Sequence, residues 1–155
     1  MTARGAWLRA VAAALVLVAL DQATKQLVVH SLSRDEHRNI FFGIELTNVR
    51  NKGVAFGALG GGGALVVVVI GIALCALVAY FATHSGRPLA WLPTGLLIGG
   101  AVGNVVDRLR DGAVTDFIKL PAWPAFNVAD MAITFGVLSL LYVLERSDGA
   151  SGERG

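Results

Sequence analysis

Two aspartates, Asp116 and Asp130, stand in short apolar phrases, Val114-Thr115-Asp116-Phe117 and Phe126-Asn127-Val128-Ala129-Asp130, beside segments of membrane length. An ionised carboxylate at the edge of a bilayer is costly and tends to be there for function. The two lie fourteen positions apart with Pro121 and Pro124 between them, so the chain can fold back and set them face to face. Two close carboxyls do not both ionise easily, and one keeps its proton while the other is charged. Such a pair can activate water and polarise a peptide carbonyl, the chemistry of an aspartyl protease. A structural reading competes at Asp130: Asn127 can cap a helix whose third position, favourable for negative charge, is Asp130.

The elements that must carry these acids are membrane helices. Of the 155 residues 55% are hydrophobic and 15% charged, with a mean hydropathy of +0.65; a soluble domain carries about 25% charged residues. Residues 64–82 and 88–106 are each uncharged runs of 19, long enough as helices to cover roughly 28 Å of hydrocarbon. Residues 126–144 form a third span with Asp130 near its start. The apolar run 10–20 behind Arg4 and Arg9 has features of a signal-peptide core. It continues without a small-residue cleavage site and reads as a retained helix from about residue 7 to 29. The expectation is an all-α membrane protein: one integral domain over residues 1–155, with four transmembrane helices and both termini on one side.

Charge does not orient the chain. With both termini cytoplasmic, Arg4, Arg9, Arg87, Arg146 and Arg154 lie inside. The other eight basic residues, including Arg34, Arg38, Arg50 and Lys52, lie outside or at the outer boundary. Raw counting favours the opposite arrangement. Scattered basic residues make no nucleic-acid patch, His30, His37 and His84 have no ligand spacing, and Cys75 sits mid-span as a small core or lipid-facing residue.

Further polar residues accompany the aspartates. Asp21 and Lys25 share a helix face and read as an ion pair anchoring the helix end. A catalytic lysine would need a serine partner, and Ser31 and Ser33 have no supporting motif. Ile40, Phe42, Ile44 and Leu46 alternate with Phe41, Gly43, Glu45 and Thr47, the pattern of a strand or hairpin on the membrane surface. In the following Asn51-Lys52-Gly53-Val54-Ala55-Phe56-Gly57, glycine permits close backbone approach and the asparagine amide can hold a substrate backbone. An ordinary turn explains this phrase equally well. Gly60 to Gly63 is a flexible link, so residues 31–63 are expected to form a mobile lid with Phe56 as its apolar tip. Gly95, Gly99 and Gly103 make a helix-packing face. Asn104, Asp107 and Arg108 lie together farther along it; Asp107 competes for catalysis, but its neighbour Arg108, with Arg110 close by, is expected to pair with it and keep it ionised, which makes it a poor candidate for a shared proton.

Taken in order, Asp21-Gln22-Ala23-Thr24-Lys25, Asn51-Lys52-Gly53-Val54-Ala55-Phe56, residues 99–108, Val114-Thr115-Asp116-Phe117 and Phe126-Asn127-Val128-Ala129-Asp130 resemble the lipoprotein signal peptidase family, signal peptidase II. The resemblance covers residues 15–142, and five phrases in register are specific. It implies an aspartic endopeptidase that removes signal peptides from bacterial prolipoproteins, cutting before a diacylglyceryl-modified cysteine. The family's catalytic aspartates match Asp116 and Asp130. Asn51, Asn104, Arg108 and Asn127, with Gly53 beside them, match positions that line the pocket or place substrate; Asp21, Lys25 and Asp107 match support positions. The resemblance further implies a small extracytoplasmic β-cradle and a bacterial inner-membrane location, with both termini cytoplasmic and the site at the outer face. It implies no metal or cofactor, contact with membrane lipids, and inhibition by the cyclic peptide globomycin. The rival readings are a small proton-coupled transporter, which would place carboxylates near mid-bilayer and show repeat symmetry, and a non-catalytic assembly factor. Here the acids cluster at one end of the spans.

Overall fold

The computed structural model describes residues 2–53 and 62–152. Helices occupy the four segments read as spans: α1 (Ala3–Ser31), α2 (Gly62–His84), α3 (Trp91–Asp111) and α4 (Val128–Gly152). Among the described residues, α1, α2 and α4 are long and apolar enough to cross a membrane. Leu15, Ile72 and Phe135 are among many large apolar side chains that these helices expose, as a lipid-facing surface requires. The chain is a membrane protein.

Helix α3 is different because it is made to be covered by protein. Its glycines let backbones meet: a Cβ on Gly95 would stand 2.8 Å from the Ala10 carbonyl oxygen, and one on Gly99 2.9 Å from that of Ala14. On another face, a Cβ on Gly100 would be 2.6 Å from the Ala129 carbonyl oxygen. So α3 packs between α1 and α4, while α2 leans on α3 from outside. The helix also runs past Val106, where the uncharged segment ends, through Asp107 to Asp111. It stops at Gly112, whose left-handed φ of 70° turns its N–H onto the Arg108 carbonyl oxygen at 3.1 Å.

At one end of the bundle Ala6, Phe81, Ala90 and Val143 form a buried cluster, with Trp7 edge-on to Phe81 at 4.7 Å. It joins the start of α1 and the last part of α4. The opposite end carries a three-stranded antiparallel sheet in the order β1 (His37–Phe41), β2 (Ile44–Asn51), β3 (Val114–Lys119). Phe42 and Gly43, both at positive φ (44° and 82°), make the β1–β2 turn. Val28, Leu32 and Phe117 seat the sheet on the end of α1. The hairpin agrees with the alternating pattern at residues 40–47. Strand β3 was not expected, because the four residues from Val114 to Phe117 are all buried and show no alternation.

Candidate active site

Three structural junctions meet beside β3. The first is the end of α1, where Asp21 and Lys25 are fully or almost fully buried. A buried ammonium needs its three protons satisfied. Lys25 Nζ lies 2.7 Å from Asp21 Oδ2, 2.9 Å from Asp107 Oδ2 and 3.0 Å from Asn104 Oδ1. The ion pair expected to anchor the helix end is therefore an internal cluster that ties α1 to α3. Asp21 Oδ1 accepts the backbone N–H of Ala129 at 3.0 Å, which adds α4 to the same knot. Asp107 also accepts the Thr115 backbone N–H at 3.1 Å, fixing the start of β3.

The expected pairing of Asp107 with Arg108 is corrected: Asp107 pairs with Lys25. Arg108 donates to the Asn104 carbonyl oxygen at 3.1 Å and, among the described residues, has no ion pair. Gln22 is a member that sequence reasoning passed over. Its amide donates to Asp107 Oδ1 at 2.8 Å and to the Gly103 carbonyl oxygen at 3.2 Å. Its position inside Asp21-Gln22-Ala23-Thr24-Lys25 was the available signal.

The second junction is the start of α4. Asn127 Oδ1 accepts the Asp130 N–H at 2.9 Å and the Asn127 N–H points back to Asp130 Oδ2 at 3.3 Å, a reciprocal cap. Asp130 thus does cap its helix, and the same geometry presents its other oxygen to Asn104 Nδ2 at 2.8 Å. The third junction is the β2–β3 pairing. Asn51 Nδ2 donates to Asp116 Oδ2 at 2.9 Å, while Asn51 Oδ1 accepts the Gly53 N–H at 2.8 Å. Gly53 holds a φ of 72°, which favours glycine. Its bond to Asn51 gives the asparagine amide a second fixed partner, so Asn51 is committed to aiming Asp116.

Fully buried Asn127 links the two candidate acids. Its Nδ2 donates to Asp116 Oδ1 at 2.7 Å and lies 3.2 Å from Asn104 Oδ1, while its backbone and Oδ1 hold Asp130. Asp116 is 2% exposed, and burial is the main force pushing its carboxyl up from 3.8 to about 6. The hydrogen bond from Asn51 opposes the rise, the negative charge of Asp130 adds to it, and the Asn127 bond opposes it again. The structure thus gathers Asp116, Asp130, Asn51, Gly53, Asn104, Arg108 and Asn127 at one end of the bundle, with Asp21, Lys25 and Asp107 behind them. Phe56, Gly57 and Gly60, the proposed lid tip and hinges, lie outside the described residues.

A sequence profile of the signal peptidase (SPase) II family matches residues 13–145. The chain belongs to the signal peptidase II family. It is similar to the lipoprotein signal peptidase of Moorella thermoacetica, 41% identical over 143 residues that cover 90% of this chain and 94% of that one. It is likewise 43% identical over 141 residues to the lipoprotein signal peptidase of Syntrophomonas wolfei, again with 90% and 94% coverage. Among solved structures, a bacterial membrane enzyme determined in meso at 2.3 Å superposes with a TM-score of 0.80. That match has 30% identity and covers 90% of this chain and 88% of the other. As a signal peptidase II, the chain is a hydrolase of the aspartic endopeptidase type.

Proposed function

We propose that Asp116 and Asp130 are the catalytic pair with which this signal peptidase II cleaves bacterial prolipoproteins just before their diacylglyceryl-modified cysteine. The observation that carries the assignment is Asn127, which holds both carboxyls, one by its side-chain amide and one by its reciprocal cap. A carboxyl raised to about 6 keeps its proton at the pH where an ordinary aspartate has lost it. Asp116 is therefore the proton donor to the scissile carbonyl oxygen, and Asp130 takes a proton from the attacking water. The gem-diol collapses as the C–N bond breaks, and a proton passes to the leaving cysteine amine. Asn51 and Asn104 aim the two acids. Arg108 and the Gly53 turn place the substrate backbone, while Asp21, Lys25 and Asp107 hold the helix ends at the required spacing.

The substrate's apolar parts fit an open groove of about 450 Å³ between α2, α3 and α4, lined by Leu74, Leu97, Ala101, Ile133 and Leu140. Ala101 and Ile133 are one helical turn from Asn104 and Asp130, so a chain lying in the groove ends at the acids. Four transmembrane helices, both termini in the cytoplasm of the bacterial inner membrane and a site at the outer face complete the reading. The three-stranded sheet is the extracytoplasmic cradle for extended peptide, the segment with Phe56 is its lid, and globomycin is an inhibitor.

The test is incubation of the purified chain with one precursor in two forms, with and without the diacylglyceryl group, followed by mass measurement. Burial of each acyl CH₂ contributes about 0.8 kcal/mol, so cleavage is expected for the modified form and little for the other. An intact modified precursor overturns the function, and equal turnover of both forms overturns the role of the lipid.

A further inference from the structure

The sheet has a second face that the peptidase chemistry does not use. Side chains alternate along strands, and in register Arg50 stands opposite Thr115 while Val49 stands opposite Asp116. Asn51 and Asp116 thus point to the candidate catalytic side, and Asn48, Arg50 and Thr115 to the other. There they line a cleft of about 390 Å³ closed by the ends of α1 and α3. Three guanidinium groups enter it, from Arg34, Arg50 and Arg110.

These arginines are not used up by acids. Arg34 is exposed and makes no hydrogen bond or ion pair among the described residues. Arg50 donates to the Asp111 carbonyl oxygen at the end of α3, a contact that orients it without neutralising it. Among the described residues Arg110 has only a loose 3.9 Å approach to the Asp111 carboxylate. Elsewhere in the wall Lys25 is shared between Asp107 and Asp21 behind it, and the Asp111 carboxylate offsets one guanidinium, which leaves four cations against three carboxylates. The cleft therefore carries more positive than negative charge and offers guanidinium forks, the groups suited to phosphate oxygens.

Its surroundings identify where the phosphate comes from. Val29 forms part of the wall and is 47% exposed, and nearby Leu27 and Leu109 are 67% and 72% exposed. Basic groups above an apolar flank, at the end of membrane helices, match a phospholipid whose phosphate is at the interface and whose chains lie in the bilayer. We propose that this cleft binds the phosphate headgroup of an anionic membrane phospholipid on the sheet face opposite Asp116. The same binding accounts for basic residues that positive-inside counting leaves unexplained: they face lipid phosphates.

The experiment uses the full chain purified in detergent, with phosphatidylglycerol or phosphatidylcholine of equal chain length, read by native mass spectrometry. Each basic residue near a membrane surface contributes roughly a fivefold gain in binding. The expected result is that phosphatidylglycerol is retained at least about tenfold better than phosphatidylcholine, and that Arg34→Gln with Arg110→Gln removes the preference. Millimolar inorganic phosphate should leave the adduct in place. Equal retention of the two lipids, or an unchanged preference in the double variant, overturns the proposal. Displacement by inorganic phosphate overturns the lipid assignment in favour of a soluble phosphate site. Should the double variant not accumulate, Arg34→Gln alone removes no bond among the described residues and is expected to lower the preference about fivefold; no change in it overturns the proposal equally.

Discussion

Asp116 gains its proton affinity from burial, and the sign of that effect fixes two pH dependences. Its carboxyl is raised from 3.8 to about 6, so the folded chain holds this proton more tightly than the unfolded one. The stability it contributes is complete below about pH 4 and is lost as pH rises through 6. The proton needed for donation is lost over the same range, which gives activity an alkaline limb. Asn51 hydrogen-bonds the charged form and lowers the value. Asn51→Ala is therefore expected to move the limb in the pH profile of kcat/KM upward by about one unit; a limb that stays in place or moves down contradicts this. The acids were legible because carboxylates among apolar residues are costly. Gln22 was not, since a glutamine beside a helical aspartate reads as ordinary surface. Asp107 was given the wrong partner because consecutive residues on a helix do not face each other, whereas Lys25 reaches it from another helix.

The elements meet through glycines, and α3 shows the cost of changing them. The four-residue spacing of Gly95, Gly99 and Gly103 gave the packing face in advance. It did not reveal that a Cβ on Gly103 would come within 2.6 Å of Asp21 Oδ2 and push on the ion cluster. Gly71 in α2 has open space at its Cβ position. Gly103→Ala is expected to destabilise by about 1–3 kcal/mol, seen as a lower Tm in detergent and lower yield, while Gly71→Ala loses neither. Equal behaviour of the two variants contradicts the packing account. Strand β3 escaped the sequence because its buried residues run consecutively, so only its pairing with β2 reveals it.

At the scale of the whole molecule, the cluster of Ala6, Phe81, Ala90 and Val143 sets one end of the bundle against the sheet and the acids at the other. Apolar length alone made the helices legible, but sidedness was not, because the arginines near the sheet outweigh those near the termini. The orientation proposed here predicts that a cysteine replacing exposed Ile40 in β1 reacts with a membrane-impermeant thiol reagent in intact spheroplasts, and that one at Thr2 does not. The reverse pattern contradicts it. Peptide cleavage depends on which two acids exchange protons with the water and the carbonyl. Turnover of a diacylglyceryl-modified prolipoprotein should be compared across Asp116→Asn, Asp130→Asn and Asp107→Asn, each purified and checked for substrate binding. Asparagine keeps the shape and cannot carry the proton. The first two variants are expected to bind substrate and lose cleavage by about 10²–10⁴-fold or more at every pH, while Asp107→Asn accumulates poorly and keeps residual turnover. Near-normal cleavage by Asp130→Asn, together with an inert but folded and substrate-binding Asp107→Asn, would contradict the assignment of the pair.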